Sequence, residues 1–477
     1  MFHHDTSRYG LATHLALAAA LPAALAQFVS SGFLAVSMFW VSLAAWIWMI
    51  FEPSVLSGET VSRARSRMLG AMLRDPFAWF LLFASSIALV RWLNSGVKLF
   101  YDAEKTIWTV SDPAISAMPA SSGDSALIPL ATVAVASTVI IGIRHALGKN
   151  ARVWFGVMTG AFSAVGGLAA VICVAAGVEQ FKAGALVSFG AFSFAGSAFA
   201  MILPLAIACG VEAEERGMTK ARLFFAFAVA GNAAAAFVFL PFLMGLAYLS
   251  VSAIVSIVAL VLCKRREGAA ACARAASMLA FGIVGAASSV MVPSYKDVVT
   301  EKMSGLNVEK AFPAALHDRN DVLDRVSMAV WKDHQWGGVG TGAFGLQAPF
   351  YVGQDDWQVL PPRLEHPSNG YFTILVERGI VGALFWVVGL GFLLGTWVMR
   401  LVESFRWHGS RDEGKAWFFC IPAVVWAGIA VLAGLACDMF FSSGIPLTPL
   451  PVCGAAALAL SASSFPKMKN RAKETKD

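Results

Sequence analysis

Twelve apolar runs constrain this chain more than any other feature. Each is long enough, at roughly 17 to 25 residues, to cross a bilayer as a helix. They cover residues 11–29, 32–51, 77–93, 126–143, 153–176, 185–209, 223–240, 245–263, 275–292, 379–401, 416–436 and 450–465. In lipid every backbone N–H and C=O must be satisfied within the protein, so such runs form helices. The seventh and eighth share one apolar stretch split at Pro241, which predicts a tight hairpin. The expected fold is therefore an all-α polytopic membrane protein of about twelve transmembrane helices, with residues 1–477 as a single membrane domain. Only 14% of the residues are charged and 58% are hydrophobic, against about 25% charged in a soluble domain. That deficit excludes a water-soluble enzyme, a disordered chain and a secreted disulfide scaffold. The seven cysteines lie in or beside apolar stretches with no CxxC pair, so neither a disulfide framework nor a thiolate metal site is expected.

Charge placement then orients the helices. Of the 36 Lys and Arg residues, 24 fall before the first run, in the even-numbered gaps, at the inner edge of the tenth run (Arg400) and after the last run. Basic residues collect on the cytoplasmic side, so both termini are expected inside. This accounts for the net charge of +6 without invoking nucleic acid. Ala24-Leu25-Ala26 resembles a signal-peptidase site, but Arg8 is the single basic residue of the leader, so an uncleaved first helix is expected.

The same assignment puts two long loops outside. Residues 94–125 carry little charge and no evident chemistry. Residues 293–378, inserted between the ninth and tenth spans, form the largest polar segment and hold His317, His334, His366, Arg319, Arg325 and Arg363. Within it, residues 318–334 read as an amphipathic helix. Val322, Leu323, Val326, Val330 and Trp331 recur on one side at helical spacing. Asp321 and Arg325 are spaced i,i+4 and suit a solvated face. The glycine-rich segment 337–342 could cradle phosphate through backbone amides. It lacks the Lys-Ser/Thr ending of a nucleotide loop, and a turn that stops the helix is the better reading. His366 sits where the loop returns to the membrane and can act as a base or as a structural group. Glu377 and Arg378 read as charges at a membrane boundary. Asp355 and Asp356 are adjacent rather than spaced as metal ligands, and no metal or other cofactor is expected.

Two segments carry a family resemblance. Lys332-Asp333-His334-Gln335-Trp336-Gly337-Gly338-Val339-Gly340-Thr341-Gly342-Ala343-Phe344 resembles the K-D-H-P-x-x-G-V-G-x-G-x-F segment of the O-antigen ligase and O-antigen polymerase superfamily. His366-Pro367-Ser368-Asn369-Gly370-Tyr371-Phe372, followed by Glu377 and Gly379-Ile380-Val381-Gly382, resembles its H-P-H-N-x-Y-L … E-x-G-I-x-G return. The resemblance implies a glycosyltransferase in the bacterial inner membrane with its active site facing the periplasm. The donor would be an oligosaccharide on undecaprenyl pyrophosphate. The acceptor would be another lipid-linked glycan, in an O-antigen or exopolysaccharide polymerase, or lipid A-core in a ligase; the polymerase is favoured slightly. Polysaccharide-export proteins are further candidate partners. The implied transfer is inverting and metal-independent, with His366 as base and Arg319 or Arg325 binding pyrophosphate. Asn369, Glu377 and Arg378 support the site, and His334 is structural. Ser368 stands at the family's second His. Gly196-Ser197-Ala198 stands where many members carry Ser-Arg, so a second cation is expected from elsewhere.

A secondary transporter is the reading from a different class. Transporters place paired repeats and ionisable groups near the midplane. Here the spans carry almost no charge and the polar weight lies in one outer loop.

Overall fold

The computed structural model describes residues 32–53, 58–94, 99–102, 107–110, 127–146, 191–215, 217–239, 268–290, 314–360, 366–409 and 423–441, with a few single positions besides. The first, fifth, eighth and twelfth expected spans lie outside the described residues, as do the termini.

The second expected span is α1 (Gly32–Phe51). A short helix absent from the sequence reading follows, α2 (Val61–Leu73). Thr60 caps it by accepting the Arg63 N–H, and Arg65 reaches back to the Ile50 and Phe51 carbonyls at the end of α1. Next comes α3 (Pro76–Leu93), with Asp75 as its N-cap and Pro76 at its first position, where a proline loses no hydrogen bond. A two-stranded antiparallel hairpin, β1 (Leu99–Asp102) and β2 (Ile107–Val110), pairs Leu99 with Val110 and Asp102 with Ile107. It places a β-ribbon in part of the first long loop, while the other described elements are helical, as expected. The remaining long helices are α4 (Leu127–Ile141), α5 (Ala191–Glu215), α6 (Thr219–Phe239), α7 (Gly268–Val290), α8 (Ala314–Asp333), α9 (Gly370–Gly409) and α10 (Ala423–Phe441).

Among the described residues two helices, Pro76–Leu93 and Gly370–Glu403, are long and apolar enough to cross a membrane. Both expose large apolar side chains, including Leu82 and Phe83 on α3 and Val381, Leu384 and Val387 on α9. In water such a surface would be a liability; against acyl chains it is the expected outer face.

Small residues let the other helices approach closely. On α5, α6 and α7, Leu203, Ile207, Val211, Val229, Ala233 and Met278 share one buried cluster. At Gly285 of α7 an added Cβ would meet the Ala230 carbonyl oxygen of α6 at 2.1 Å, so the two backbones touch there. Such contacts drive helix association where lipid removes the hydrophobic incentive. The α3 and α9 helices pack through aromatic rings, with Phe80 stacked on Phe385 at 4.3 Å and Phe83 tilted against it at 5.7 Å.

At one end of this assembly Asp75 ties α3 to the π-helical segment Gly142–Ala146 that extends α4. Arg144 Nε and Nη2 donate to its two oxygens at 2.8 and 3.1 Å, and His145 Nε2 lies 2.7 Å from Oδ2. The Phe77 N–H adds a cap bond at 3.0 Å. Burial works against the Asp75 carboxylate, yet the His145 and Arg144 hydrogen bonds outweigh it and hold its pKa well below the usual range.

Candidate active site: a glycine loop docked on a broken helix

The loop helix α8 forms because its apolar residues line one side. Val322, Leu323, Val326 and Val330 are buried with Phe344, Leu360, Leu364 and Val376, so the loop carries its own core and closes it against the start of α9. The helix spans Ala314–Asp333, a few residues N-terminal of the predicted bounds. Its polar side faces out: Arg325 is 68% exposed and donates to Asp356 Oδ1 at 3.1 Å. Tyr351 donates to Asp333 Oδ2 at 2.7 Å. Partial burial and the hydrogen bond to the Asp333 carboxylate push the Tyr351 hydroxyl up to about 12.

After α8 the chain turns through its glycines. Gly338, Gly340 and Gly342 all adopt positive φ, at 71°, 100° and 71°. The Gly338 N–H donates to the His334 carbonyl at 2.9 Å, stopping the helix. The next two amides leave the loop altogether: Val339 donates to the Val376 carbonyl at 2.9 Å and Gly340 to the Glu377 carbonyl at 3.0 Å. These amides are engaged by α9, which decides the open question of this segment in favour of a docking turn over a phosphate cradle.

Helix α9 can accept those bonds because it is broken. Gly379 sits at φ 65°, ψ −173°, a conformation close to exclusive to glycine. The break frees the Val376 and Glu377 carbonyls on one side. On the other, the Ile380 and Val381 N–H groups donate to the Gln335 and Trp336 carbonyls at 2.8 and 3.2 Å. Four backbone bonds therefore lock segment 335–340 into the break. The approach is close: a Cβ on Gly338 would lie 2.4 Å from the Glu377 carbonyl carbon, and one on Gly379 would lie 2.3 Å from the Trp336 carbonyl oxygen. The two motif segments of the sequence are thus halves of one joint.

The return strand is pinned from the other direction. Ser368 Oγ donates to Asp324 Oδ1 of α8, and Asn369 Nδ2 donates to Ser368 Oγ at 3.3 Å. Asn369 caps α9, its Oδ1 accepting the Phe372 N–H at 2.9 Å. His366 lies half-buried two residues before Ser368. Tyr371 then fastens α9 to α10 by donating to the Ala436 carbonyl at 2.8 Å.

The sequence-predicted residues fall into separate groups. His366, Ser368 and Asn369 form the return, held to α8 through Asp324. Arg325 is on α8 one residue beyond Asp324, with its guanidinium on Asp356. Arg319 lies on the same helix, but its side chain is outside the described residues, as are Arg363 and His317. Glu377, fully buried, and Arg378 lie at the break and interact electrostatically with Arg91 of α3. Arg91 was missed from the sequence because it looks like the boundary charge ending an apolar run.

Among the described residues the architecture is a helical one, consistent with a membrane protein, whose polar loop is built onto one interrupted apolar helix. Residues 231–387 match the family model described as O-antigen ligase, a stretch that contains both halves of the joint. The match supports the O-antigen ligase and polymerase superfamily for this chain. A comparison with curated proteins gave no match.

Proposed function

We propose that the protein transfers a glycan from a polyprenyl pyrophosphate, such as undecaprenyl pyrophosphate, to a sugar hydroxyl on the periplasmic face of the bacterial inner membrane. The new bond forms between the acceptor oxygen and the anomeric carbon. The bond from that carbon to the pyrophosphate oxygen breaks, with inversion, and its electron pair leaves with pyrophosphate. The acceptor proton goes to His366, an imidazole side chain of the type that most often serves as a general base. Arg319 and Arg325 on α8 are the cations for the departing charge, because a guanidinium can pair with phosphate oxygens in two places at once. The donor is already activated, so the reaction needs no metal. The loop at 293–378 carries this chemistry, with Asn369, Glu377 and Arg378 supporting it.

The observation that carries this reading is the bond from Ser368 to Asp324, which holds the return beside the helix that bears both arginines. The acceptor is a second lipid-linked glycan, making the enzyme a polymerase of O-antigen or exopolysaccharide. The ligase alternative, with lipid A-core as acceptor, is favoured by the description of the matching family model. The test gives purified protein a lipid-linked repeat unit with and without lipid A-core. Chain growth without the second acceptor identifies a polymerase, and coupling only in its presence identifies a ligase. No glycan product under either condition refutes the proposal.

A further inference from the structure

Helix α2 carries a basic stripe that the transfer chemistry leaves unused. It precedes the start of α3, whereas Arg91, beside the joint, lies at the other end of that helix, about 24 Å along its axis. Arg63, Arg67 and Arg74 recur at i, i+4 and i+11, which at 3.6 residues per turn sets them within about 40° of one another. Arg74 belongs to the stripe because its backbone is still right-handed helical, at φ −89°, ψ −7°. All three are exposed. The buried residues Ala64 and Met68 lie about 100° to one side of the stripe. Leu73 lies about 100° to the other side and is 63% exposed.

The helix is fixed at both ends. Arg65 donates to the Ile50 and Phe51 carbonyls at 2.9 and 3.3 Å, which ties α2 to the end of α1. Trp79 Nε1 donates to the Leu73 carbonyl at 2.9 Å, which ties it to the first turn of α3. The stripe is therefore presented as a set surface. Glu59 neutralises one member: Arg67 Nε and Nη2 donate to its two oxygens at 3.0 and 2.9 Å. Among the described residues Arg63 and Arg74 form no ion pair.

The partner follows from what borders the stripe. Leu73 and Trp79 are both more than half exposed, and Trp79 and Phe83 are spaced i,i+4 on α3. An apolar surface thus runs from the arginines onto the exposed side of an apolar, membrane-length helix. Arginines beside an exposed Leu and a boundary Trp are the makeup of a helix lying in the membrane interface. The placement of Lys and Arg along the chain assigns this end to the cytoplasm, where the leaflet surface is negative. A nucleic acid or an acidic protein would match the charge, but neither calls for the apolar edge.

We propose that Arg63, Arg67 and Arg74, with Leu73 and Trp79 as their apolar edge, bind the phosphates of anionic phospholipids in the cytoplasmic leaflet. Through Arg65 and Trp79 that contact sets the depth at which α1 and α3 sit in the bilayer.

The test titrates the full chain in detergent with phosphatidylglycerol and, separately, with phosphatidylcholine, and counts bound lipid by native mass spectrometry. Phosphatidylglycerol should bind more tightly. Each basic residue beside an anionic headgroup contributes roughly fivefold. The double variant Arg63→Gln, Arg74→Gln should therefore weaken phosphatidylglycerol binding about tenfold or more and leave phosphatidylcholine binding unchanged. Arg63→Lys with Arg74→Lys keeps the charge and should retain most of the affinity. Lys467→Gln with Lys469→Gln removes the same charge from the C-terminal tail and should leave binding as it was. Equal affinity for the two lipids overturns the proposal, as does parent-like binding by the glutamine double variant. A lysine double variant that loses as much as the glutamine one also overturns it, since headgroup charge would then not be what is read. A tail variant that loses as much would show a general attraction to the basic inner face and overturns α2 as the site.

Discussion

Replacing Gly379 by alanine attacks the joint at its narrowest point. The residue holds φ 65°, ψ −173°, a region that costs a residue with a side chain about 1–3 kcal/mol. The new Cβ would also sit 2.3 Å from the Trp336 carbonyl oxygen and 2.5 Å from its carbon. These are backbone atoms, so relief means moving the loop off the helix. Overpacking of this kind adds about 1–3 kcal/mol. The expected destabilisation is therefore about 2–6 kcal/mol, concentrated in the loop–helix joint. Gly391 and Gly395 lie further along α9 with nothing within 4 Å of an added Cβ. Alanine there should be neutral or stabilise by about 0.5–1 kcal/mol, because helical glycine is entropically costly. The assay is thermal unfolding of the detergent-purified variants beside glycan transfer. Gly379→Ala should unfold at a lower temperature and lose transfer, while Gly391→Ala and Gly395→Ala keep both. If Gly379→Ala behaves like Gly395→Ala, the joint does not bear on stability and the reasoning is wrong.

Three further outcomes are expected. Asp75→Asn breaks the Arg144 and His145 contacts and leaves Arg144 without its carboxylate, costing about 3–5 kcal/mol in thermal or denaturant unfolding. In the parent, the Asp75 carboxyl lies below its unfolded value, so its stabilisation is full above the ordinary carboxylate range and lost as pH falls through the folded value. The acid limb of the stability profile should flatten in Asp75→Asn, and an unchanged limb counts against the lock. Asn369→Ala removes the N-cap of α9 and should cost about 1 kcal/mol, with Asn369→Asp retaining most of it; equal losses in the two would contradict a capping role. Asp356→Asn removes an exposed ion pair with Arg325 and should change unfolding by less than about 1 kcal/mol.

Much of the helical plan was legible because hydrophobic length and period are local properties. The expected spans at 32–51 and 77–93 coincide closely with α1 and α3, and the apolar side of α8 is the side that the loop core buries. The glycine segment was recognisable as a turn, but its purpose was not. Its bonds run from 335–340 to 376–381, and backbone pairing across some forty residues leaves no side-chain signature beyond the glycines. The break at Gly379 was hidden for a related reason, since glycine is common in membrane helices and only its φ sets it apart. Arg63, Arg65 and Arg67 were read as topological charge, which concealed α2, although Thr60 and the Asp75-Pro76 cap were available as boundary signals. The hairpin at 99–110 had its own signal in Leu99-Phe100-Tyr101 and Ile107-Trp108, aromatic and β-branched residues that favour strands. Arg91 became meaningful only when the α3–α9 register set it beside Glu377, which is tertiary information.

The central claim is that His366 takes the acceptor proton during glycan transfer from a lipid-linked pyrophosphate. The most direct measurement is single-turnover glycan transfer by the full-length protein at saturating donor, comparing the parent with His366→Ala. Loss of a general base should lower the rate by about 10²–10⁴-fold while donor binding stays within about threefold. Transfer by His366→Ala at the parent rate would contradict the account.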